Sequence, residues 1–378
     1  MNILSLDCET TIFNKGNPYD SRNKLVCFSW KLNDDKPADA MLWKPGVTHK
    51  GLQAFVKSVD LIIGFNFKFD YHWLAKNGVD LSKSNIWDVQ IAEFILSHQR
   101  QKLPSLNDTC ELYGIEKKLD VVQNEYWSKG IQTDAIPWPI LREYAAHDAK
   151  VTLECYHAQV KNMTPQQRQL CKLMCMDLHV LREMEANGLP FNEELCEQRS
   201  QEVDDKISEI KRALRATYPN VPINFGSGDH LSAFLYGGIV KEDAKEMVGF
   251  YKGGSRKGEP RYKNIIIEHV LPRLYEPIKG SELLKEGMYA TDESTLKKLK
   301  GKKATVELLL NLSKLEKLNG TYYKGLVKLR TEMHWTKGLL HGQFNQCIAG
   351  TGRLSSNKPN LQNFASELQD IFVSKYKG

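Results

Sequence analysis

No apolar run in the chain approaches the roughly 20 residues that a membrane-crossing helix needs. The opening "MNILSLDCETT" lacks the basic start and long apolar stretch of a secretory leader. From these absences we expect a cytoplasmic protein with no membrane partner. The eight cysteines are scattered, which suits free thiols in a reducing compartment. Cys171 and Cys175 stand four apart, but no second Cys or His pair follows to complete a zinc site. There is no internal repeat and no low-complexity tract.

The chain has 378 residues, more than one ordinary core holds, so two or three domains are expected. At 41% hydrophobic and 26% charged it has globular composition. The net charge of +6 is mild but unevenly placed. Residues 241–303 hold 15 Lys and Arg against 10 Asp and Glu, which points to a polyanion partner.

Strand patterns open the chain at "MNILSLD", "KLVCFSWKL" and "DAMLWK", and "DLIIGFN" reads as a buried strand. Helices are expected at "GLQAFVKSV", "KFDYHWLAKNG" (closed by Gly78), "VQIAEFILSHQ", "LNDTCELYG" and from Pro139 to about Lys161. The alternation suggests an α/β layer structure of about 160 residues. A new helix starts after Thr164, an N-cap followed by Pro165, and ends at Gly188. Its expected buried face is Leu170, Leu173, Met174, Leu178, Leu181 and Met184. Helix returns at 193–218, 294–301 and 304–333, and the Gly- and Lys-rich stretch 249–265 reads as a loop or hairpin.

"LSLDCETT" ends its apolar run on Asp7 and Glu9, two apart and therefore on one face of a strand. Asp70 follows a buried strand, and Asp148 lies on a helix with Tyr144 one turn earlier on the same face. Four carboxylates that converged could not all stay ionised without cations. An oxygen-only donor set suits hard ions, Mg²⁺ or Mn²⁺. Two such ions, roughly 4 Å apart, are the usual apparatus for in-line attack on a phosphodiester. Asp88 reads as a helix N-cap, and His147 stands beside Asp148.

"LDCET", "NFKFD" and "YAAHD" together resemble the three motifs of the DEDD exonucleases, in the subclass that carries a tyrosine. The resemblance implies a ribonuclease H-like fold, 3′–5′ cleavage and a role for each residue. Asp7 would bridge both ions, Glu9 and Asp148 would hold the ion that activates water, and Asp70 would hold the second. Tyr144 would orient the attacking water, and Asn66 would grip substrate or brace Asp70.

"GTGRLSSNKPNLQNF" (350–364) resembles the segment leading into the palm of family A DNA polymerases, the polymerase I type. "LREMEANGLPFNEEL", "INFGSGDHLSAFLYG" and "YATDESTLKKL" resemble parts of the thumb in that family, the last especially in phage-encoded members. The resemblance implies DNA as partner, both a single-stranded 3′ end and a primer–template duplex, with Arg353, Gln362 and Asn363 as minor-groove contacts. The expected fold is an α/β ribonuclease H-like exonuclease domain (1–162), then a mostly α-helical thumb-like domain (163–345) with an insertion near 245–290. An incomplete palm start occupies 346–378. The palm acids and the fingers have no counterpart here, so polymerisation is not expected of this chain alone, and a second chain carrying palm and fingers is a candidate partner. A truncated palm would leave apolar surface exposed near 365–373. Two other functions share these residues: a non-catalytic DNA-binding and assembly subunit of a split polymerase, and an RNA-trimming nuclease. Segment 350–364 argues against the second.

Overall fold

A computed structural model describes residues 1–299 and 303–374. The chain divides into two compact units, Met1–Glu193 with the chain from Leu326 onward, and Glu194–Gly325 between them.

The first unit is built on strands β1 (Ile3–Thr10), β2 (Leu25–Leu32) and β3 (Asp39–Leu42), helix α1 (Thr48–Lys57) and strand β4 (Leu61–Gly64). Helix α2 (Lys68–Lys76), strand β5 (Ile86–Asp88) and helices α3 (Val89–Leu96), α4 (Leu106–Tyr113) and α5 (Val121–Glu125) follow. The long helices α6 (Trp138–Asn162) and α7 (Pro165–Asn187) come next, then the short strand β6 (Leu189–Pro190). The five strands form one sheet in the order β3-β2-β1-β4-β5. β1 is antiparallel to β2 and parallel to β4, so it is a central strand. Alternation along β1 puts Leu4, Leu6 and Cys8 into the main core and turns Ser5, Asp7 and Glu9 to the opposite face. Helix α6 packs across β1, β2 and β3.

Local sequence chemistry sets the helix ends. The Thr164 hydroxyl accepts from the Gln167 N–H, and the Gln167 side chain accepts from the Thr164 N–H, a reciprocal cap. Asp88 caps α3 as expected, accepting from the Gln90 N–H. Gly78, at a φ of 87°, turns the chain out of α2.

The buried face of α7 differs from the expected one. Cys171, Cys175, Leu178, Leu181 and Glu185 are buried, whereas Leu170, Leu173 and Met184 are exposed. The small thiols let α7 sit close against α2, α3 and β5, and Glu185 is drawn inward by its partners. The helix is therefore rotated from the setting that its larger apolar residues suggest.

The second unit holds α8 (Glu193–Arg215, starting at the boundary), α9 (Gly228–Tyr236), the hairpin strands β7 (Gly238–Phe250) and β8 (Pro260–Leu271), α10 (Glu293–Leu296) and α11 (Lys303–Lys317). Its core gathers Leu214, Phe225, Phe234, Leu235, Val240, Leu271 and Leu309. A π-helical turn, Leu318–Tyr323, follows α11. There the buried Asn319 amide donates to Asp204 Oδ1 at 2.8 Å, which anchors the turn to α8. The helix expected over 294–301 is a single turn at Glu293–Leu296, and its residues 300 and 301 lie outside the described residues.

Helix α12 (Lys324–Glu332) leads back into the first unit, with short strands β9 (Leu339–Leu340), β10 (Gln343–Asn345) and β11 (Ser355–Asn357). β9 pairs with β6, and β10 with β11. Cys347 completes the main core. The expected exposed apolar surface at 365–373 is corrected: Leu368 and Ile371 are fully buried, and only Val373 is well exposed. Phe372 pairs with Phe191 across an isolated bridge and stacks on Phe364, so the segment is folded onto its own unit. Residues 375–378 of the expected palm start lie outside the described residues.

Candidate active site

Asp7 and Glu9 project from one face of β1 near its C-terminal end. A register irregularity between Glu9 and Thr10 bends the strand there. The buried Thr133 hydroxyl donates to the Thr10 carbonyl at 2.6 Å and fixes the bend. Helix α6 brings Asp148 to the same face, and one oxygen from each of Asp7, Glu9 and Asp148 lies within 4.8 Å of the others.

Asp70 enters from the first turn of α2. Its Oδ1 accepts from the Cys8 N–H at 2.9 Å, which ties it to β1 between the two acids. The turn that delivers it is held by Asp88, whose carboxylate also accepts from the Asn66 and Phe67 N–H groups at 3.1 and 2.8 Å. Asp88 thus caps one helix and braces the entry to another. Sequence reasoning finds only the first role.

Burial pushes all four carboxyls up. Asp7 rises to about 7, through burial and then repulsion from Asp148, against the opposing pull of Lys118. For Glu9 and Asp70 burial is again the largest cause, followed by repulsion from Asp7. Asp148 is raised by burial, while Lys118 and the Tyr144 hydroxyl oppose the rise.

Lys118 is the residue that sequence reasoning missed. It lies in the polar connection between α4 and α5, whose backbone is pinned where the Lys118 N–H donates to the Asn107 side-chain carbonyl at 3.0 Å. Its ammonium reaches Asp148 Oδ2 at 2.5 Å and sits 5.3 Å from the centre of the Tyr144 ring. Burial disfavours the charge, but Asp148, Asp7 and Glu9 outweigh it and hold the lysine protonated. Nothing in "GIEKKLD" distinguishes Lys118 from a solvated loop lysine, so no local signal could have found it.

Tyr144 is buried, packed edge-on against Trp127 at a centroid distance of 5.7 Å. Burial, Glu9 and Asp148 raise its pKa, so the phenol stays neutral and able to donate. His147 points away, to the Lys117 carbonyl at 2.8 Å. A depression of about 440 Å³ opens beside Asp7 and Lys118, bordered by Phe65, Asn66, Leu103 and Asn107.

The cluster suits a divalent cation. Its donors are carboxylate oxygens alone, and Asp148 Oδ1 is buried with no hydrogen-bond partner among the described residues. Such an orphaned acceptor is expected where an ion belongs.

Residues 1–164 match the family model for the 3′–5′ exonuclease, and residues 263–376 match that for DNA polymerase family A. The chain thus carries a 3′–5′ exonuclease region followed by a region of DNA polymerase family A. It is 26% identical to DNA polymerase I of Treponema pallidum over 305 residues, covering 80% of this chain and 26% of that protein. It is 25% identical to DNA polymerase I of Aquifex aeolicus over 366 residues, covering 94% of this chain and 53% of that protein. The chain therefore spans from about a quarter to half the length of these relatives. In fold it is similar to the POL domain of Pol1 from M. smegmatis, solved in complex with DNA primer-template and dNTP. The TM-score is 0.66 at 20% identity, over 98% of this chain and 55% of that one.

Asn66 has a left-handed backbone, is exposed, and borders the depression; its main-chain N–H is used by Asp88. Asp70 is braced by Cys8. Arg353, Gln362 and Asn363 are exposed on the segment around β11. The Gln362 amide donates to the Leu354 carbonyl at 3.1 Å, which folds this segment back on itself.

Proposed function

We propose that the chain hydrolyses DNA from its 3′ end, as the metal-dependent proofreading exonuclease of a family A DNA polymerase. The convergence of Asp7, Glu9 and Asp148 from a strand and a helix, with Asp70 tied to Cys8 beside them, carries this reading. These four carboxylates would hold two divalent ions, Mg²⁺ or Mn²⁺. When bound, such ions supply the Lewis acidity that activates water and stabilises charge on the phosphate. Asp7 would serve both ions, Glu9 and Asp148 the ion that activates water, and Asp70 the other. The neutral Tyr144 hydroxyl, held between α6 and Trp127, orients the attacking water. The depression beside Asp7 and Asn66 receives the terminal nucleotide, and Arg353, Gln362 and Asn363 contact duplex DNA. The second unit serves as the thumb.

The test is a 5′-labelled single-stranded DNA incubated with the chain and Mg²⁺ or Mn²⁺. Stepwise shortening from the 3′ end that EDTA abolishes is expected. Intact DNA under both metals would refute the reading, and RNA cut in preference to DNA would replace it with a trimming nuclease.

A further inference from the structure

The hairpin of β7 and β8 is long and thinly supported. Its ladder runs from the Gly238–Leu271 pair to the Phe250–Pro260 pair, a reach of about 40 Å at the usual rise per residue. Only its base is anchored: Val240 and Leu271 are buried in the core of the second unit, and nearly everything beyond them is exposed. β7 and β8 form a two-stranded sheet with no third strand among the described residues. An exposed two-stranded ribbon is marginal by itself, and its open edges are a liability unless something engages them.

The charge of the outer end says what engages it. Over residues 246–263 stand Lys252, Arg256, Lys257, Arg261 and Lys263 against two acids, Glu259 and Glu246 (which faces Lys263 in the ladder), five minus two, a local charge of +3. The five basic side chains are exposed. Glu259 is already paired with Arg256 at 2.7 Å. The inner half of the ribbon differs: Lys241 pairs with Glu268, and Glu242 with His269. Positive charge is thus neutralised near the base and left over at the tip, beside the exposed Phe250 and Tyr262 rings.

We propose that the tip of this arm grips the phosphate backbone of duplex DNA. The inference rests on the reading of the chain as a DNA enzyme. A two-stranded ribbon fits the major groove of B-form DNA, and lysines and arginines on it would neutralise phosphates on either side. The grip carries no sequence choice, because it is made to phosphate. Its effect is to hold duplex DNA on the second unit.

The test replaces Lys252, Arg256, Lys257, Arg261 and Lys263 by Ser. Binding to a labelled DNA duplex is measured by fluorescence anisotropy across a salt series, and cleavage of single-stranded DNA is followed in parallel. The variant is expected to bind duplex at least tenfold more weakly at low salt. Each phosphate that is no longer neutralised takes about 0.9 from the slope of log affinity against log salt, so the slope should fall by about 2–4. A milder variant, Lys252→Gln with Lys257→Gln, should show a smaller drop in the same direction and guards against misfolding of the first. Unchanged duplex affinity and slope in both variants, with single-strand cleavage intact, overturns the proposal and leaves the nuclease reading standing. Failure of the parent chain to bind or cut any DNA overturns both. An affinity that falls with no change in salt slope also overturns it, since the arm would then act by something other than binding phosphate.

Discussion

The ammonium of Lys118 and the carboxylate of Asp148 stand 2.5 Å apart, in the cluster that Asp148 forms with Asp7 and Glu9. That ammonium offsets part of the repulsion among Asp7, Glu9 and Asp148. A divalent ion does the same work with twice the charge, so the lysine and the ion compete for the same oxygens. Lys118→Met should lower the melting temperature of the chain in EDTA and enlarge the rise that Mn²⁺ produces. Calorimetry with and without Mn²⁺ measures both, and an unchanged Mn²⁺ increment would show that Lys118 is not a stand-in for the ion.

Asp7→Ala removes the proposed bridging ligand. Cleavage should fall below detection while duplex binding and the melting temperature in EDTA hold or improve, because one buried charge is gone. Measurable cleavage by this variant would move the ion site elsewhere. Tyr144→Phe keeps the packing against Trp127 and deletes only the hydroxyl. Its single-turnover rate should drop by about 10²-fold, and an unchanged rate would make Tyr144 a packing residue.

The acid cluster sets a pH dependence with a definite sign. Asp7 rises to about 7 and Asp88 to about 6 in the folded chain, through burial first in each case, while an unfolded Asp titrates at about 4. Between those values the folded state binds more protons than the unfolded state, so stability falls as pH rises. In EDTA the contribution of these two groups to the melting temperature should decline from about pH 4 to about pH 7. Mn²⁺ should reverse the trend, because its ligands must be deprotonated. Asp7→Asn should remove part of this contribution, and a profile in EDTA that the substitution leaves unaltered would show that the Asp7 carboxyl is not raised.

Much of this site is written locally. The spacing of Asp7 and Glu9 on a strand, of Tyr144 and Asp148 on a helix, and the cap at Asp88 depend on neighbours in sequence. What could not be read depends on partners far along the chain. Lys118 matters because a loop folds over α6, and its sequence is that of any polar loop. The buried face of α7 is misread because hydrophobicity favours Leu173 and Met184 over Cys171 and Glu185. Glu185 is buried only because residues from two distant segments satisfy it.

Those partners carry a stability prediction. His72 Nε2 donates to Glu185 Oε2 at 2.7 Å, and the Tyr19 hydroxyl donates to His72 Nδ1 at 2.6 Å. Lys68 also pairs with Glu185, and the Phe344 N–H donates to it at 2.7 Å. Burial alone would raise the Glu185 carboxyl, yet His72 and Lys68 hold it below its ordinary value. Glu185→Ala strands Lys68 beside two unsatisfied donors and should cost about 3–5 kcal/mol in urea unfolding. A loss under about 1 kcal/mol would mean that water replaces the carboxylate freely.

The same junction orders events at the ribosome. Phe344 closes the Glu185 network, the Cys347 carbonyl accepts from the Leu103 N–H at 2.9 Å, and the Cys347 side chain fills the main core. These groups emerge only after the whole intervening unit has been synthesised. The nuclease half therefore waits, partly assembled, through translation of the 194–325 segment. It acquires the wall that these groups form only when β9, β10 and β11 arrive, so an earlier-made part is completed by a later-made one.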